Sequence, residues 1–149
     1  MTRPTPDQYF LDMATLAATR GTCCRRQVGC VLVNKMNRVL ATGYNGRYAG
    51  APHCNEGFPC EGADLPSGTG LDKCEALHAE SSALLFCSNV YDIKTCYVTV
   101  TPCIECTKML LNTSCQKIVA LTEYPHPAAK RLWEQAGRDW EVRLDLSGL

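Results

Sequence analysis

Two short fragments of this chain carry residue types that can activate water: His78-Ala79-Glu80 and Pro102-Cys103-Ile104-Glu105-Cys106. One imidazole and two thiolates form a three-ligand set for zinc, and a tetrahedral ion held that way keeps its fourth position for water. Water on such an ion ionises near a pKa of about 7. Glu80 stands two residues past His78, close enough to reach that water without binding the metal. Either fragment alone is a weak signal. A lone His-x-Glu on a helix is ordinarily solvent-facing polarity, and a lone Cys-x-x-Cys can be a redox pair or half of a structural zinc site. A redox pair gives His78 and Glu80 no role, and a purely structural zinc has no use for a carboxylate that is not a ligand. Together the fragments point to metal-assisted hydrolysis.

Both fragments fall at predicted helix starts, where the helix dipole and free N–H groups favour thiolate over thiol. Further elements are legible around them. Thr5-Pro6-Asp7-Gln8 reads as a helix start, with Thr5 as N-cap, Pro6 at the first helical position and Gln8 closing a capping box. Tyr9, Phe10, Met13, Leu16 and Ala17 then recur at helical spacing up to Arg20-Gly21. Residues 28–33 and 39–43 read as two strands joined by a polar turn over 34–38. Residues 45–71 are rich in Gly and Pro, and so long a loop in a compact domain is usually functional or held by something local. Next come a helix over about 72–87, a strand over 95–101 and a helix opened by Pro102. A strand over 116–122, a helix over about 127–136 and a strand over 140–146 complete the chain. Strands alternating with helices predict an α/β sandwich, mostly parallel in its second half, with its site where strand ends meet helix starts.

Composition sets the outer limits. At 149 residues the chain is read as one domain, 1–149, with one main site. Fifteen Lys plus Arg balance fifteen Asp plus Glu, so nothing attracts a polyanion at long range and a nucleic-acid partner is not expected. No apolar run approaches the roughly 20 residues of a membrane span, and the first ten residues do not read as a signal peptide, so no membrane partner is expected. Eleven cysteines, an odd number without an export signal, predict reduced thiols in a cytoplasmic protein. Cys30, Cys87, Cys96 and Cys115 sit among apolar residues and read as core. Cys23, Cys24, Cys54, Cys60, Cys74, Cys103 and Cys106 lie near Pro, Gly and polar residues, where ligands sit. Four of these, Cys23, Cys54, Cys60 and Cys74, are the set for a second, structural zinc tying the long loop to the first helix; His53 can replace Cys60, and Cys24 can replace Cys23.

On these residues the sequence resembles the zinc-dependent cytidine/deoxycytidylate deaminase superfamily, whose signature is H-x-E … P-C-x-x-C, over about residues 9–124. Three stretches match the deoxycytidylate (dCMP) branch: Thr22-Cys23-Cys24-Arg25 leading into Val28-Gly29-Cys30-Val31, then Gly43-Tyr44-Asn45-Gly46, then Pro52-His53-Cys54-Asn55-Glu56. The resemblance implies a three-layer α/β/α sandwich with a five-stranded mixed sheet, a homo-oligomer that is usually a hexamer, and hydrolysis of dCMP to dUMP and ammonia. It implies that His78, Cys103 and Cys106 hold the catalytic Zn²⁺ while Glu80 shuttles protons. The Ala79 N–H and Thr101 carbonyl are suited to the pyrimidine O2 and the exocyclic amine. By the same resemblance Asn45 contacts the sugar hydroxyl and Tyr124 stacks on the base. Arg25 and Arg26 are the candidates for the 5′-phosphate, which an arginine fork suits. Gly43, Tyr44, Asn45 and Gly46 match an effector-binding motif, implying activation by dCTP and inhibition by dTTP, with Mg²⁺ on the triphosphate. Some relatives also carry a second zinc, for which Cys23 and Cys54 match best. One departure stands out: many relatives have Asn shortly after the H-A-E triplet, and this chain reads Ser81-Ser82-Ala83. The rival readings are a deaminase of another base (cytidine, guanine, or a base in tRNA or DNA) and a non-catalytic zinc scaffold.

Overall fold

The computed structural model of the chain describes residues 2–23, 25–57, 59, 62–64, 66 and 75–143. Thr5 caps the first helix, α1 (Pro6–Ala18), by accepting the Gln8 N–H at 3.2 Å, and Pro6 takes the position that has no amide to satisfy. The expected capping box is only half formed, because the Gln8 side chain turns forward to Asp12 at 2.8 Å. Not all of the apolar residues at helical spacing are buried. Phe10, Leu11 and Ala14 are buried, whereas Tyr9 and Leu16 are largely exposed. The cause is a close approach: a Cβ on Gly29 would overlap the Ala14 carbonyl oxygen, so α1 lies on the sheet at the Ala14–Gly29 contact and turns its neighbours accordingly.

β1 (Gly29–Asn34) and β2 (Val39–Tyr44) form an antiparallel hairpin whose turn is closed by Asn34 Oδ1, which accepts the Met36 and Arg38 amides. With β3 (Ile93–Val100), β4 (Lys117–Thr122) and β5 (Asp139–Val142) they make one five-stranded sheet in the order β2-β1-β3-β4-β5. β1 is antiparallel to both neighbours, and β3, β4 and β5 are parallel. The mixed sheet and its parallel second half are therefore as expected. α2 (Ala79–Phe86), α3 (Ile104–Leu111) and α4 (Pro127–Gln135) connect the later strands.

Strand side chains alternate between two cores. Val31, Val33, Tyr97 and Val119 pack under Phe10, Leu11 and Ala14 of α1. Cys30, Leu32, Cys96, Val98, Ile118 and Ala120 face the other way, toward Ala79 and Ala83 of α2, Leu110 of α3 and Trp133 of α4. One helix on one face and three on the other complete the α/β/α layering, and strands covered on both faces explain their nearly continuous apolar runs. Cys30, Cys96 and Cys115 are core residues as expected, while Cys87 is only half-buried at the end of α2.

Two boundaries need correction. The helix expected over 72–87 begins at Ala79, because Leu77 pairs with Gly46 through hydrogen bonds of 2.7 and 3.1 Å and His78 is extended (φ −70°, ψ 154°). The last strand runs Asp139–Val142 rather than 140–146, and residues 144–149 lie outside the described residues. Among the described residues, no helix is long and apolar enough to cross a membrane.

Candidate active site and metal centre

Because β1 runs antiparallel to its neighbours, its start lies at the same sheet edge as the carboxyl ends of β2, β3 and β4. That is the edge where open α/β sheets collect ligands. Here a pocket is lined by Arg25, Arg26 and Val28 ahead of β1, Asn45 after β2, and Val100, Thr101 and Cys103 at the end of β3. Ala76, His78, Ala79 and Glu80 at the start of α2, Tyr124 after β4 and Cys23 complete the wall.

Both chemistry-bearing fragments sit at helix N-termini. His78 is the N-cap of α2, which places Ala79 and Glu80 in its first turn. Cys103 is the N-cap of α3, and its sulfur accepts the Cys106 amide at 3.5 Å, as a serine oxygen does in a conventional cap. The His78 Nδ1 lies 3.4 Å from Cys103 Sγ and 3.3 Å from Cys106 Sγ, and the three ligand atoms lie within 4.8 Å of one another. A tetrahedral zinc with bonds of about 2.0 Å to nitrogen and 2.3 Å to sulfur sets those atoms about 3.6 Å apart. The donor set fits that ion in number, type and spacing.

The electrostatics of the cluster suit a cation. Hydrogen bonds from the Cys106 thiol, His78 and the Cys106 amide hold Cys103 down at about 4 despite its burial, so it is a thiolate at neutral pH. The His78 imidazole is correspondingly raised, chiefly by its hydrogen bond to Cys103. The metal-free Cys106 thiol is pushed up by its hydrogen bond to Cys103 and by burial. Glu80 is 4% exposed, and burial, opposed by a backbone hydrogen bond, pushes its carboxyl up to about 7. A buried carboxyl poised near neutrality can take up and give back a proton.

The remaining expected residues divide by what they touch. Asn45 is buried, and its amide grips the segment ahead of β1: Oδ1 accepts the Val28 N–H at 2.8 Å and Nδ2 donates to the Arg26 carbonyl at 2.5 Å. Ala79, at the first helical position, has an amide with no acceptor inside the helix. The Thr101 N–H donates to the Thr122 carbonyl and its hydroxyl accepts the Tyr124 N–H at 2.6 Å, which leaves its carbonyl for a ligand. The Tyr124 ring is half-buried and packs 4.9 Å from the His126 ring. Arg25 and Arg26 part company. Arg25 donates to the Gly62 and Pro66 carbonyls at 3.1 and 3.0 Å, fastening the long loop, whereas the exposed Arg26 side chain has no protein partner among the described residues.

Of the expected effector residues, Gly43 faces α2, where a Cβ would collide with the Ala79 carbonyl oxygen and the Ala83 nitrogen. Tyr44 and Gly46 line a second concavity with Arg20, Gln27, Arg47, Tyr48 and His53. Of the second-zinc set, Cys23 and Cys54 are buried and His53 is exposed. The Asn55 N–H donates to the Thr22 carbonyl at 3.0 Å, which brings the two backbones side by side. Cys24, Cys60 and Cys74 lie outside the described residues. Among the described residues, His78, Cys103 and Cys106 form the group that can hold a metal. Sequence reasoning missed Val28, Ala76 and Val100, the apolar part of the pocket. Val100 adjoins Thr101, which it did find, and only the folded edge turns the three toward one space.

The described pattern "Cytidine and deoxycytidylate deaminase zinc-binding region" matches residues 4–122. The chain is 44% identical over 126 residues to the deoxycytidylate deaminase of Schizosaccharomyces pombe, a match covering 82% of this chain but only 38% of that longer protein. It is 40% identical over 124 residues to the deoxycytidylate deaminase of Mycobacterium phage D29, covering 80% of this chain and 96% of the phage protein. The crystal structure of the dCMP deaminase from cyanophage S-TIM5 in complex with dCMP and dUMP superposes with a TM-score of 0.76 at 25% identity, covering 95% of this chain and 99% of that one.

Proposed function

The chain belongs to the cytidine and deoxycytidylate deaminase zinc-binding family, and from that membership we propose that it hydrolyses dCMP to dUMP and ammonia. One observation carries the reading: His78, Cys103 and Cys106 converge into one ligand cluster, and His78, Cys103 and the buried Glu80 line the same pocket. The phage relative of similar length and the nucleotide-bound neighbour support dCMP as the substrate.

His78, Cys103 and Cys106 are the ligands of zinc in this proposal. Bound there, the ion supplies a Lewis acid that makes water nucleophilic at neutral pH. Glu80 takes one proton of the attacking water and delivers it to ring N3 as the C4–O bond forms, then takes the second from the new C4 hydroxyl and gives it to the amine as the C4–N bond breaks, so one carboxylate is base and acid in turn. The Ala79 N–H holds the pyrimidine O2 and the Thr101 carbonyl accepts from the exocyclic amine, which orients C4 toward the nucleophile. Tyr124 stacks on the base and Asn45 meets the sugar hydroxyl with the hydrogen-bonding capacity its grip on residues 26–28 leaves over. Arg26 meets the 5′-phosphate, and Arg25 keeps the loop over the pocket.

Regulation is the finer part of the proposal. The second concavity presents Arg20, Arg47 and His53 beside Tyr44 and Gly46, groups suited to a triphosphate carrying Mg²⁺. dCTP then activates and dTTP inhibits; dCMP saturation curves unchanged by either nucleotide would remove this part. Assembly into a homo-oligomer, with a hexamer as the expected form, is supported by Leu85, Phe86 and Tyr91, each more than 70% exposed near the end of α2. Sedimentation of the metal-loaded chain as a monomer would count against it.

The deciding experiment is ammonia release from dCMP, CMP, deoxycytidine, guanine and adenosine by the zinc-loaded protein. dCMP is the expected substrate. Faster turnover of any other, or of none, overturns the assignment.

A further inference from the structure

We infer that Ser81 is a positioning residue for Cys106, its hydroxyl donating a hydrogen bond that holds this thiolate toward the metal; the inference rests on the zinc-site reading above. Ser81 Oγ lies 3.7 Å from Cys106 Sγ, within reach of a hydrogen bond to sulfur.

The two sulfurs of the site are served unequally. Cys103 caps α3 and receives the Cys106 amide. Cys106 sits inside the first turn of α3 at 1% exposure, and its sulfur meets the His78 Nδ1 and the Ser81 hydroxyl. When the imidazole nitrogen turns to a metal, it stops serving the sulfur. Ser81 is then the side-chain donor left to it among the described residues. A buried anion without a donor is costly, and a charge-assisted hydrogen bond offsets much of that cost.

The placement follows from the helix. His78 is the N-cap of α2 and Glu80 and Ser81 lie in its first turn, so the start of this one helix carries a metal ligand, the proton carrier and the donor to a second ligand. Ser81 also ties α2 to α3, whose N-termini hold the two halves of the metal site. An apolar side chain at position 81 would leave both roles unfilled. Second-sphere partners of this kind typically contribute about 10- to 100-fold to metal affinity.

The test compares wild type, Ser81→Ala and Ser81→Thr in two measurements made without substrate. Zn²⁺ affinity is measured at pH 7 by competition with a chromophoric chelator, and the absorption spectrum of the Co²⁺-substituted protein is recorded. Ser81→Ala is expected to bind Zn²⁺ about 10- to 100-fold more weakly. Its thiolate-to-cobalt band should move to longer wavelength, because a sulfur without the hydrogen bond holds its electrons less tightly. Ser81→Thr keeps the hydroxyl and should restore both properties. Should Ser81→Ala fail to fold, Ser81→Thr against Ser81→Val gives the same comparison, hydroxyl against methyl at nearly equal volume. Wild-type affinity with an unshifted band in the variants lacking the hydroxyl overturns the inference. A wild-type chain that takes up neither ion with a thiolate band overturns the zinc-site reading instead.

Discussion

Burial decides what the Glu80 carboxyl does at each pH. Its unfolded value is 4.5 and its folded value about 7, so between them the metal-free folded chain holds a proton that the unfolded chain has released. Stability is therefore lost as pH rises through that window, and the loss is complete above about 7. Metal-free Glu80→Gln should melt higher than metal-free wild type at pH 8 and equally at pH 4, which thermal scans at both values would check. In the zinc-loaded enzyme the same substitution, or Glu80→Ala, should leave the metal in place while turnover falls by about 10²–10⁴-fold. A variant retaining a tenth of the wild-type rate would remove Glu80 from the mechanism. The two arginines separate in a similar way. Arg26→Gln should raise KM for dCMP by about 10- to 100-fold, the weight of a charged hydrogen bond, and leave deoxycytidine unaffected. Arg25→Gln should preserve the preference for a phosphate and instead speed proteolysis within the 62–66 stretch that its guanidinium fastens.

Between elements, small contacts decide where the site's helices stand. α2 lies on β2 at Gly43, where an added Cβ would meet the Ala79 carbonyl oxygen and the Ala83 nitrogen. Gly43→Ala must push away the turn that carries His78 and Glu80, and a loss of about 1–3 kcal/mol is expected with weaker Zn²⁺ binding. Chemical denaturation and chelator competition measure the two effects. α3 is fixed from its other end. The Arg138 guanidinium donates to the carbonyls of Leu110, Leu111, Thr113 and Cys115 while lying 5.2 Å from the Trp133 ring centre. Arg138→Met would strand several of those carbonyls, so a loss of about 3 kcal/mol is expected in the same denaturation experiment. Because α3 carries Cys103 and Cys106, this residue supports the site from the far end of the helix.

For the whole molecule, metal binding and folding are linked, since the ligands come from two helices whose N-termini meet only in the folded sheet. Free Zn²⁺ at a thousandfold excess over its Kd contributes about 4 kcal/mol. Adding Zn²⁺ to the chelated protein should therefore raise Tm by roughly 10 °C at this chain length. A Tm indifferent to Zn²⁺ would argue against the site. The metal count of unchelated protein bears on the second zinc: two ions per chain support a site drawing on Cys23 and Cys54, and one counts against it.

How much could be read in advance follows from the range of each interaction. His78, Glu80, Cys103 and Cys106 were legible because the H-x-E and C-x-x-C spacings are local properties of the chain. The order of strands and helices was legible for the same reason, since periodicity is written along the chain. The start of α2 was misjudged because Leu77 is withheld from the helix by pairing with Gly46, thirty-one residues earlier. Which side of α1 is buried was not legible, because Gly29 in another element decides which side of the helix can approach. By itself the sequence singled out the His, Glu and Cys side chains that the fold brings together and the elements that deliver them. Only the tertiary structure decided that Arg25 holds a loop while Arg26 faces the pocket, that Gly43 is a seat for α2, and that Ser81 reaches Cys106. Each of these depends on contacts between segments distant in the chain, and such contacts exist only once the sheet has brought its edges together.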